Sequence, residues 1–189
     1  MQHTKAEIER LCEHITGATN IRPDEVALLY ELCFLAPKTG WLVELGSYQG
    51  RSSVALCQAA RELKRDKWVM LIDNFSYDAS ISAYKLNYNL GRLDYWPAIV
   101  EGDSRTVPPQ IMPGQKVAFL FVDSDHTAAQ FEAEMDAWQP WLANGAVIAC
   151  HDFDSPTWTE MNGVITKRLG HLKRLGALRR LISFKWELP

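Results

Sequence analysis

The stretch Trp41-Leu-Val-Glu-Leu-Gly-Ser-Tyr-Gln-Gly-Arg-Ser-Ser-Val54 decides the fold of this chain. An apolar run leads into Gly46 and Gly50, and a segment compatible with a helix follows at once. A strand that ends in a glycine turn at the start of a helix lets a ligand lie against bare backbone, close to the free amides of the first helical turn. The stretch therefore predicts the adenosine-binding corner of a doubly wound sheet.

The overall composition is that of an ordinary globular protein. The chain has 189 residues, 47% of them hydrophobic and 23% charged, and a formal net charge of −3 that points to no particular partner. We expect a single domain with no charged-then-apolar leader and no membrane span, which needs about 20 apolar residues. Cys12, Cys33, Cys57 and Cys150 are scattered without a C-x-x-C pair, which favours a reduced, cytoplasmic protein.

Basic residues are concentrated near the end of the chain. Between Met161 and Trp186 there is no acidic residue, and the basic ones are Lys167, Arg168, Lys173, Arg174, Arg179, Arg180 and Lys185. An acidic or phosphorylated partner could use such a surface, but a solvated face is the favoured interpretation.

Apolar strands alternate with amphipathic helices along the chain. The capping-box pattern Thr4–Glu7 and Pro23 predict the starts of two helices, and the second ends by Pro37–Gly40. Strands are predicted at 41–45, 68–72, 98–100, 117–122 and 146–150, helices over 51–64, near 79–90 and near 157–169, and two strands within 171–188. A further helix precedes the fifth strand and is expected to end at Asn144-Gly145, with Glu132, Glu134 and Asp136 opposite its apolar stripe. This alternation predicts a mostly parallel, seven-stranded sheet with helices on both faces.

Acidic residues recur where the predicted strands end. Glu44, Asp73, Asp103, Asp123 and Asp152 all fall at or just past the carboxyl end of a strand. In open α/β sheets, ligands bind outside those ends. Folding alone does not explain five acidic residues at one edge, so this edge is the predicted functional site.

The motifs along residues 40–152 resemble, in order, those of the class I S-adenosylmethionine-dependent methyltransferases. Val43–Gly50 resembles the first motif, Leu71–Asp73 the second, Glu101–Ser104 the third and Phe121–His126 the fourth. Within that class, the chain is similar to small O-methyltransferases of the catechol, caffeoyl-CoA and antibiotic-tailoring types. The residues that carry this second likeness are the D-x-D-H motif Asp123–His126, the segment Trp138–Gly145 and the H-D motif His151-Asp152.

The resemblance implies a Rossmann-like fold with an antiparallel C-terminal strand. It also implies one methyltransferase domain over 1–189, with amino-terminal helices at 1–39, a cofactor-binding core at 40–152, and a helix and strands at 153–189. The expected cofactor is S-adenosyl-L-methionine.

The resemblance also assigns roles at the acidic edge. Asp73 is expected to accept both ribose hydroxyls, and Glu44 to organise the methionine part of the cofactor through its ammonium or nearby amides. Asp103 and Ser104 lie where members of the family bind the adenine amino group. The full expected cofactor-binding set is Glu44, Gly46, Ser47, Gly50, Asp73, Asp103, Ser104 and Asp123.

The expected reaction is methyl transfer to an oxygen of a small molecule or a natural-product sugar. His126 and Asp123 are the candidate catalytic groups, and His126 would either take a proton from the acceptor, cap a helix or bond Asp152. Asp123, His151 and Asp152 lie where metal-dependent relatives place three ligands. Those relatives usually have a carboxylate in place of His151, and a nitrogen ligand shifts the preference from Mg²⁺ toward Mn²⁺, Fe²⁺ or Zn²⁺. The sequence leaves open whether a metal is used.

Four aromatic residues lie in the segments expected to cover the acceptor: Tyr77, Tyr84, Tyr88 and Trp158. They could form a wall for a flat substrate, although the spacing of the tyrosines also fits a helix stripe that packs as core, which is slightly favoured.

Two other functions stay open. The first is a cofactor-binding protein without transferase activity, which is considered because His151 replaces the usual carboxylate. The second, a nicotinamide-dependent oxidoreductase, is disfavoured because the glycine turn lacks the middle glycine of G-x-G-x-x-G. The expected partner is a small-molecule substrate, with no nucleic acid and no membrane, and homo-oligomer formation is left open.

Overall fold

The glycine turn follows the central strand of one large sheet. The computed structural model describes residues 2–17, 20–65, 68–108 and 114–188. Within them, the helices are α1 (Lys5–Glu13), α2 (Pro23–Cys33), α3 (Ser53–Glu62), α4 (Ala79–Arg92), α5 (Ala128–Trp138) and α6 (Thr159–Leu169). The strands are β1 (Trp41–Leu45), β2 (Val69–Asp73), β3 (Ala98–Glu101), β4 (Val117–Val122), β5 (Leu142–Cys150), β6 (Lys173–Leu178) and β7 (Leu181–Lys185).

The sheet has seven strands in the order β3-β2-β1-β4-β5-β7-β6. Strands β1 to β5 are mutually parallel, and β7 runs antiparallel to both β5 and β6. The predicted doubly wound, mostly parallel sheet with an antiparallel C-terminal strand is therefore confirmed.

Two hydrophobic clusters cover the two faces of the sheet. Alternate residues of β1 face opposite ways, with Leu42 in the cluster of α1 to α4 and Val43 in the cluster of α5 and α6. The helix starts agree with the sequence, since Thr4 closes a capping box and Pro23 occupies the first turn of α2. All four cysteines are buried free thiols. In the described part of the chain, no helix has the length and apolar character needed to cross a membrane.

The junction between α5 and β5 differs from the sequence prediction. Helix α5 ends at Trp138, a 3₁₀ turn spans Gln139–Trp141, and β5 begins at Leu142. The prediction that this helix ends at Asn144-Gly145 is therefore wrong. Gly145 lies within β5 with φ +78°, and its N–H donates to the carbonyl of Trp186 at 2.9 Å. A glycine with positive φ is found both at helix ends and at irregularities within strands, and here the pairing of β5 with its neighbours places it in a strand.

The acidic residues of α5, expected on one polar side of the helix, have different surroundings in the structure. Glu132 and Asp136 face α6, where they pair with Lys167 at 2.8 Å and Arg168 at 2.6 Å. Glu134 is fully buried, so the expectation that it shares the polar side of the helix is wrong.

Candidate active site

The candidate site lies where the strand order changes direction, between β1 and β4. Strand β1 pairs with β2 on one side and with β4 on the other, so the connections leave toward opposite faces and open a crevice at the carboxyl ends. Glu44, Asp73, Asp123 and Asp152 meet at this edge because each lies within two residues of the carboxyl end of one of the neighbouring parallel strands.

Gly46 is required by the close approach of the loops that follow β1 and β4. It has φ +85°, and a Cβ there would lie 2.2 Å from the carbonyl oxygen of Asp123. Its own N–H donates to the carbonyl of Ile72 in β2 at 2.8 Å. Gly46 therefore lets the ends of β1, β2 and β4 approach one another closely. Direct contact of the cofactor with Gly46 and Gly50 stays a prediction.

Asp73 fixes the glycine turn and keeps acceptor capacity. Its Oδ2 accepts the Tyr48 N–H and its Oδ1 accepts the Phe75 N–H, each at 2.7 Å. A carboxylate has about four lone-pair sites, so each oxygen can accept a further bond. Asp73 is partly exposed, and this geometry is compatible with the expected ribose contact.

Glu44 is a buried acid with one unused oxygen. Its Oε2 accepts from Ser53 Oγ at 2.5 Å, while Oε1 has no hydrogen-bond partner among the described residues. Complete burial raises the pKa of Glu44 to about 8, and the nearby charges of Asp123 and Asp73 act in the same direction. The buried hydroxyl of Ser47 also lacks a described partner. These two unpaired polar atoms at the glycine turn fit a cofactor with a charged amino-acid end, which S-adenosylmethionine has.

Asp103 and Ser104 both have partners within the protein. Asp103 is half-buried and binds Arg105 through two oxygens, with the Nε at 2.9 Å from Oδ1, and these hydrogen bonds lower the pKa of Asp103. The buried Ser104 hydroxyl donates to Glu134, and its carbonyl accepts from Trp138 Nε1 at 2.8 Å. An adenine amino group would have to share Asp103 with Arg105, so this assignment stays a prediction.

Two histidines flank the carboxylate of Asp152. His126 Nδ1 lies 2.6 Å from Asp152 Oδ2, and His151 Nδ1 lies 3.1 Å from Asp123 Oδ1 and 3.6 Å from Asp152 Oδ2. Burial alone would lower the pKa of His126, but the hydrogen bond to Asp152 and the charge of Asp123 raise it. Burial opposes the charge of His151 too, yet Asp123 and its other carboxylate neighbours raise the pKa of His151 to about 12. The neighbouring carboxylates therefore favour the charged form of the His151 ring.

Glu25 is a site residue that the sequence analysis missed. It lies in the first turn of α2, is fully buried, and places Oε1 3.6 Å from His151 Nε2, which is an ion-pair distance. Its carboxylate also accepts the backbone N–H groups of Arg22 and Arg180, each at 3.0 Å. In the sequence, an acidic residue in a first helical turn indicates only a favourable interaction with the helix dipole.

Asp123, His126 and Asp152 form a candidate metal-binding group. Each offers one ligand atom, and these atoms lie within 4.8 Å of one another. Two carboxylates and an imidazole are a donor set that suits a divalent transition metal. The expected set had His151 in place of His126, and His151 is enclosed between Asp123 and Glu25.

A cavity of about 330 Å³ opens beside the pair of His126 and Asp152. It is lined by Asn20, Arg22, His126, His151, Asp152, Trp158 and Arg180. The indole of Trp158 stacks on the His126 ring, with 5.1 Å between centroids. Of the four aromatic residues considered for an acceptor wall, Trp158 lines this cavity.

The tyrosines expected as core are exposed. Tyr77, Tyr84 and Tyr88 are 74%, 68% and 46% exposed, so the core interpretation is wrong. Tyr84 and Tyr88 stack on each other along α4, because their spacing places them on one side of that helix.

The chain belongs to a family of methyltransferase domains, whose pattern matches residues 43–153, more than half of the chain. This membership confirms the resemblance to S-adenosylmethionine-dependent methyltransferases and decides against the nicotinamide-dependent alternative. Solved structures show the same fold. CalS11, a TDP-rhamnose 3′-O-methyltransferase of calicheamicin biosynthesis, is 21% identical, with 96% of this chain and 94% of that chain covered and a TM-score of 0.66. The O-methyltransferase NovP is 14% identical, with coverage of 99% and 91% and a TM-score of 0.72. An O-methyltransferase from Bacillus cereus in complex with SAH is 14% identical, with coverage of 96% and 90% and a TM-score of 0.66.

Proposed function

We propose that this protein transfers the methyl group of S-adenosylmethionine to a hydroxyl oxygen of a small molecule or a natural-product sugar. The observation that carries the proposal is the pair of His126 and Asp152 in the wall of a cavity at the same sheet edge as the glycine turn. The cavity volume of about 330 Å³ is in the range of small-molecule sites. CalS11 and NovP, which share the fold, are O-methyltransferases, and CalS11 acts on a sugar nucleotide.

His126 is the proposed general base. Asp152 bonds Nδ1 of the ring, so Nε2 is the nitrogen left to accept the proton of the acceptor hydroxyl. Trp158 stacks on the ring and limits its rotation. The cofactor supplies a methyl group on a positively charged sulfur. The protein then has to align the acceptor oxygen with that methyl and remove its proton.

A divalent metal is the second proposed way to activate the hydroxyl. Asp123, His126 and Asp152 would hold the ion, which would lower the pKa of a bound hydroxyl. The two routes make different predictions, because only the metal route depends on a bound ion. Activity that survives a chelator and is lost in His126→Gln supports the base. Activity that a chelator abolishes, and Mn²⁺ or Mg²⁺ restores, supports the metal.

The proposal as a whole is tested by release of S-adenosylhomocysteine from a panel of catechols, sugars and sugar nucleotides, with and without divalent metal. Release with a hydroxylated acceptor, but not with the matching deoxy compound, is the expected result. Cofactor binding without release across the whole panel would instead indicate a cofactor-binding protein that lacks transferase activity.

A further inference from the structure

Three residues of the basic segment near the end of the chain are closely paired with acidic residues. Lys167 and Arg168 pair with acidic residues of α5, and Arg179 pairs with an acidic residue of α2 at 2.7 Å. Arg180 differs from its neighbour. Its guanidinium lies 3.8 Å from Asp152 Oδ1, which is too far for a hydrogen bond, and its side chain is 46% exposed. Arg180 lines the cavity.

Arg22 lines the same cavity from the start of α2. It is exposed, and the ion pairs within the described part of the chain do not include it. Two arginines thus border one cavity: Arg22 outside the ion pairs of the described residues, and Arg180 with only a long ion pair to Asp152. The planar guanidinium presents donors in a fork that matches the oxygens of a carboxylate or a phosphate.

The acidic residue of the cavity wall, Asp152, has closer partners than these arginines. Asp152 is already hydrogen-bonded to His126 and lies 3.6 Å from His151 Nδ1. The positive charge of Arg22 and Arg180 is therefore available inside a cleft, where low-dielectric walls strengthen its attraction for an anion.

We infer that the acceptor carries an anionic group, a phosphate or a carboxylate, which Arg22 and Arg180 bind. The inference rests on the proposed function, because it describes the acceptor of that reaction. Arg180 and His126 both approach the same carboxylate, that of Asp152, from within 4 Å. The anionic group and the reacting hydroxyl are therefore close neighbours on the acceptor. Asn20, also in the cavity wall, adds a neutral hydrogen-bonding group.

Calorimetric titration of the full chain, saturated with S-adenosylhomocysteine at constant ionic strength, tests this inference. The probes are glucose 1-phosphate, glucuronate and the neutral methyl glucoside. We expect an anionic probe to bind at least about tenfold more tightly than methyl glucoside, as a charge-assisted pair predicts. The tighter of the two anionic probes identifies phosphate or carboxylate as the source of the charge.

Three variants assign the effect to the cavity. Arg22→Gln and Arg180→Gln should each weaken the binding of the anionic probe about five- to tenfold, and leave that of methyl glucoside unchanged. Arg179→Gln is the matched control, because it removes the same charge from the adjacent position but is already paired with Asp24. It should bind the anionic probe as the wild type does, and thermal unfolding verifies that all three variants fold.

The inference is overturned if the wild type binds neither anionic probe or binds methyl glucoside equally well. It also fails if both cavity variants keep full affinity, or if Arg179→Gln loses as much as Arg180→Gln. Methyl transfer is measured separately. Transfer to neutral acceptors alone, unaffected by either cavity variant, would remove the anion site and keep the proposed function. Arginine-dependent anion binding without transfer to any acceptor would keep the site and remove the proposed function.

Discussion

Replacing Glu44 by glutamine should remove a pH-dependent loss of stability. The pKa of Glu44 rises from its ordinary 4.5 to about 8 on folding, chiefly because the side chain is fully buried. Since the folded pKa is the higher one, the stability that the protonated carboxyl contributes is fully present below pH 4.5 and is lost as the pH rises through about 8.

The size of the effect follows from the two pKa values. At 1.36 kcal/mol for each pKa unit, the wild type should lose about 3 kcal/mol between pH 4.5 and 7, and about 5 kcal/mol above pH 8. Glutamine does not titrate, and its side-chain oxygen can still accept the Ser53 hydroxyl. A loss of this size is a large part of the roughly 5–15 kcal/mol that stabilises a typical domain.

The assay is urea denaturation of the cofactor-free protein at about pH 5, 7 and 9. The free energy of unfolding of Glu44→Gln should exceed that of the wild type by an amount that grows with pH. Glu101→Gln, at the exposed end of β3, is the matched control and should follow the wild type. Parallel curves for the wild type and Glu44→Gln would refute the argument from burial.

The remaining predictions concern the cofactor, the base and the turn. Asp73→Ala should weaken cofactor binding by about 1–3 kcal/mol, since an acceptor of charge-assisted hydrogen bonds is lost, and unchanged calorimetric affinity would contradict its assigned role. The methyl-transfer rate should rise with pH through a His126 pKa above the ordinary 6.5, because the base acts in its neutral form. His126→Gln should lower the rate about 10²–10⁴-fold and remove that rise. An unaltered pH profile in the variant would exclude His126 as the base. Gly46→Ala should destabilise the protein by at least about 1 kcal/mol in thermal unfolding, because a Cβ at Gly46 would lie 2.2 Å from a carbonyl oxygen. Gly163 lies in α6 with open space around it, so Gly163→Ala should stabilise the protein by about 0.5–1 kcal/mol. Equal effects of the two glycine substitutions would show that crowding at the turn is not the cause.

The fold and the edge that carries the site could be predicted because they follow from local patterns. Continuous apolar strands bounded by glycine turns specify a buried parallel sheet, and the acids at the ends of β1, β2 and β4 are then brought to one edge by topology alone. Local patterns do not determine where β5 begins, which is Leu142 rather than the predicted residue 146. Asn144-Gly145 fits a helix end as well as an irregular strand, and only the pairing with β4 and β7 separates the two.

The partners of the site residues could not be predicted, because they come from distant parts of the chain. Glu25 approaches His151 across 126 positions, and its sequence context is that of an ordinary first helical turn. Glu134 lies between two residues that do face α6, and its burial follows from packing against the loop at Ser104. The sequence places Arg180 in a basic segment but does not separate it from Arg179, because the two are adjacent and differ only in the residues that they contact in the fold.

A crystal structure with bound S-adenosylhomocysteine tests the central assignment most directly. We expect the ribose hydroxyls within hydrogen-bond distance of Asp73, and the amino-acid end beside Glu44 and Ser47. A nucleoside bound instead in the cavity of Arg22 and Arg180, with no contact to Asp73, would contradict this assignment.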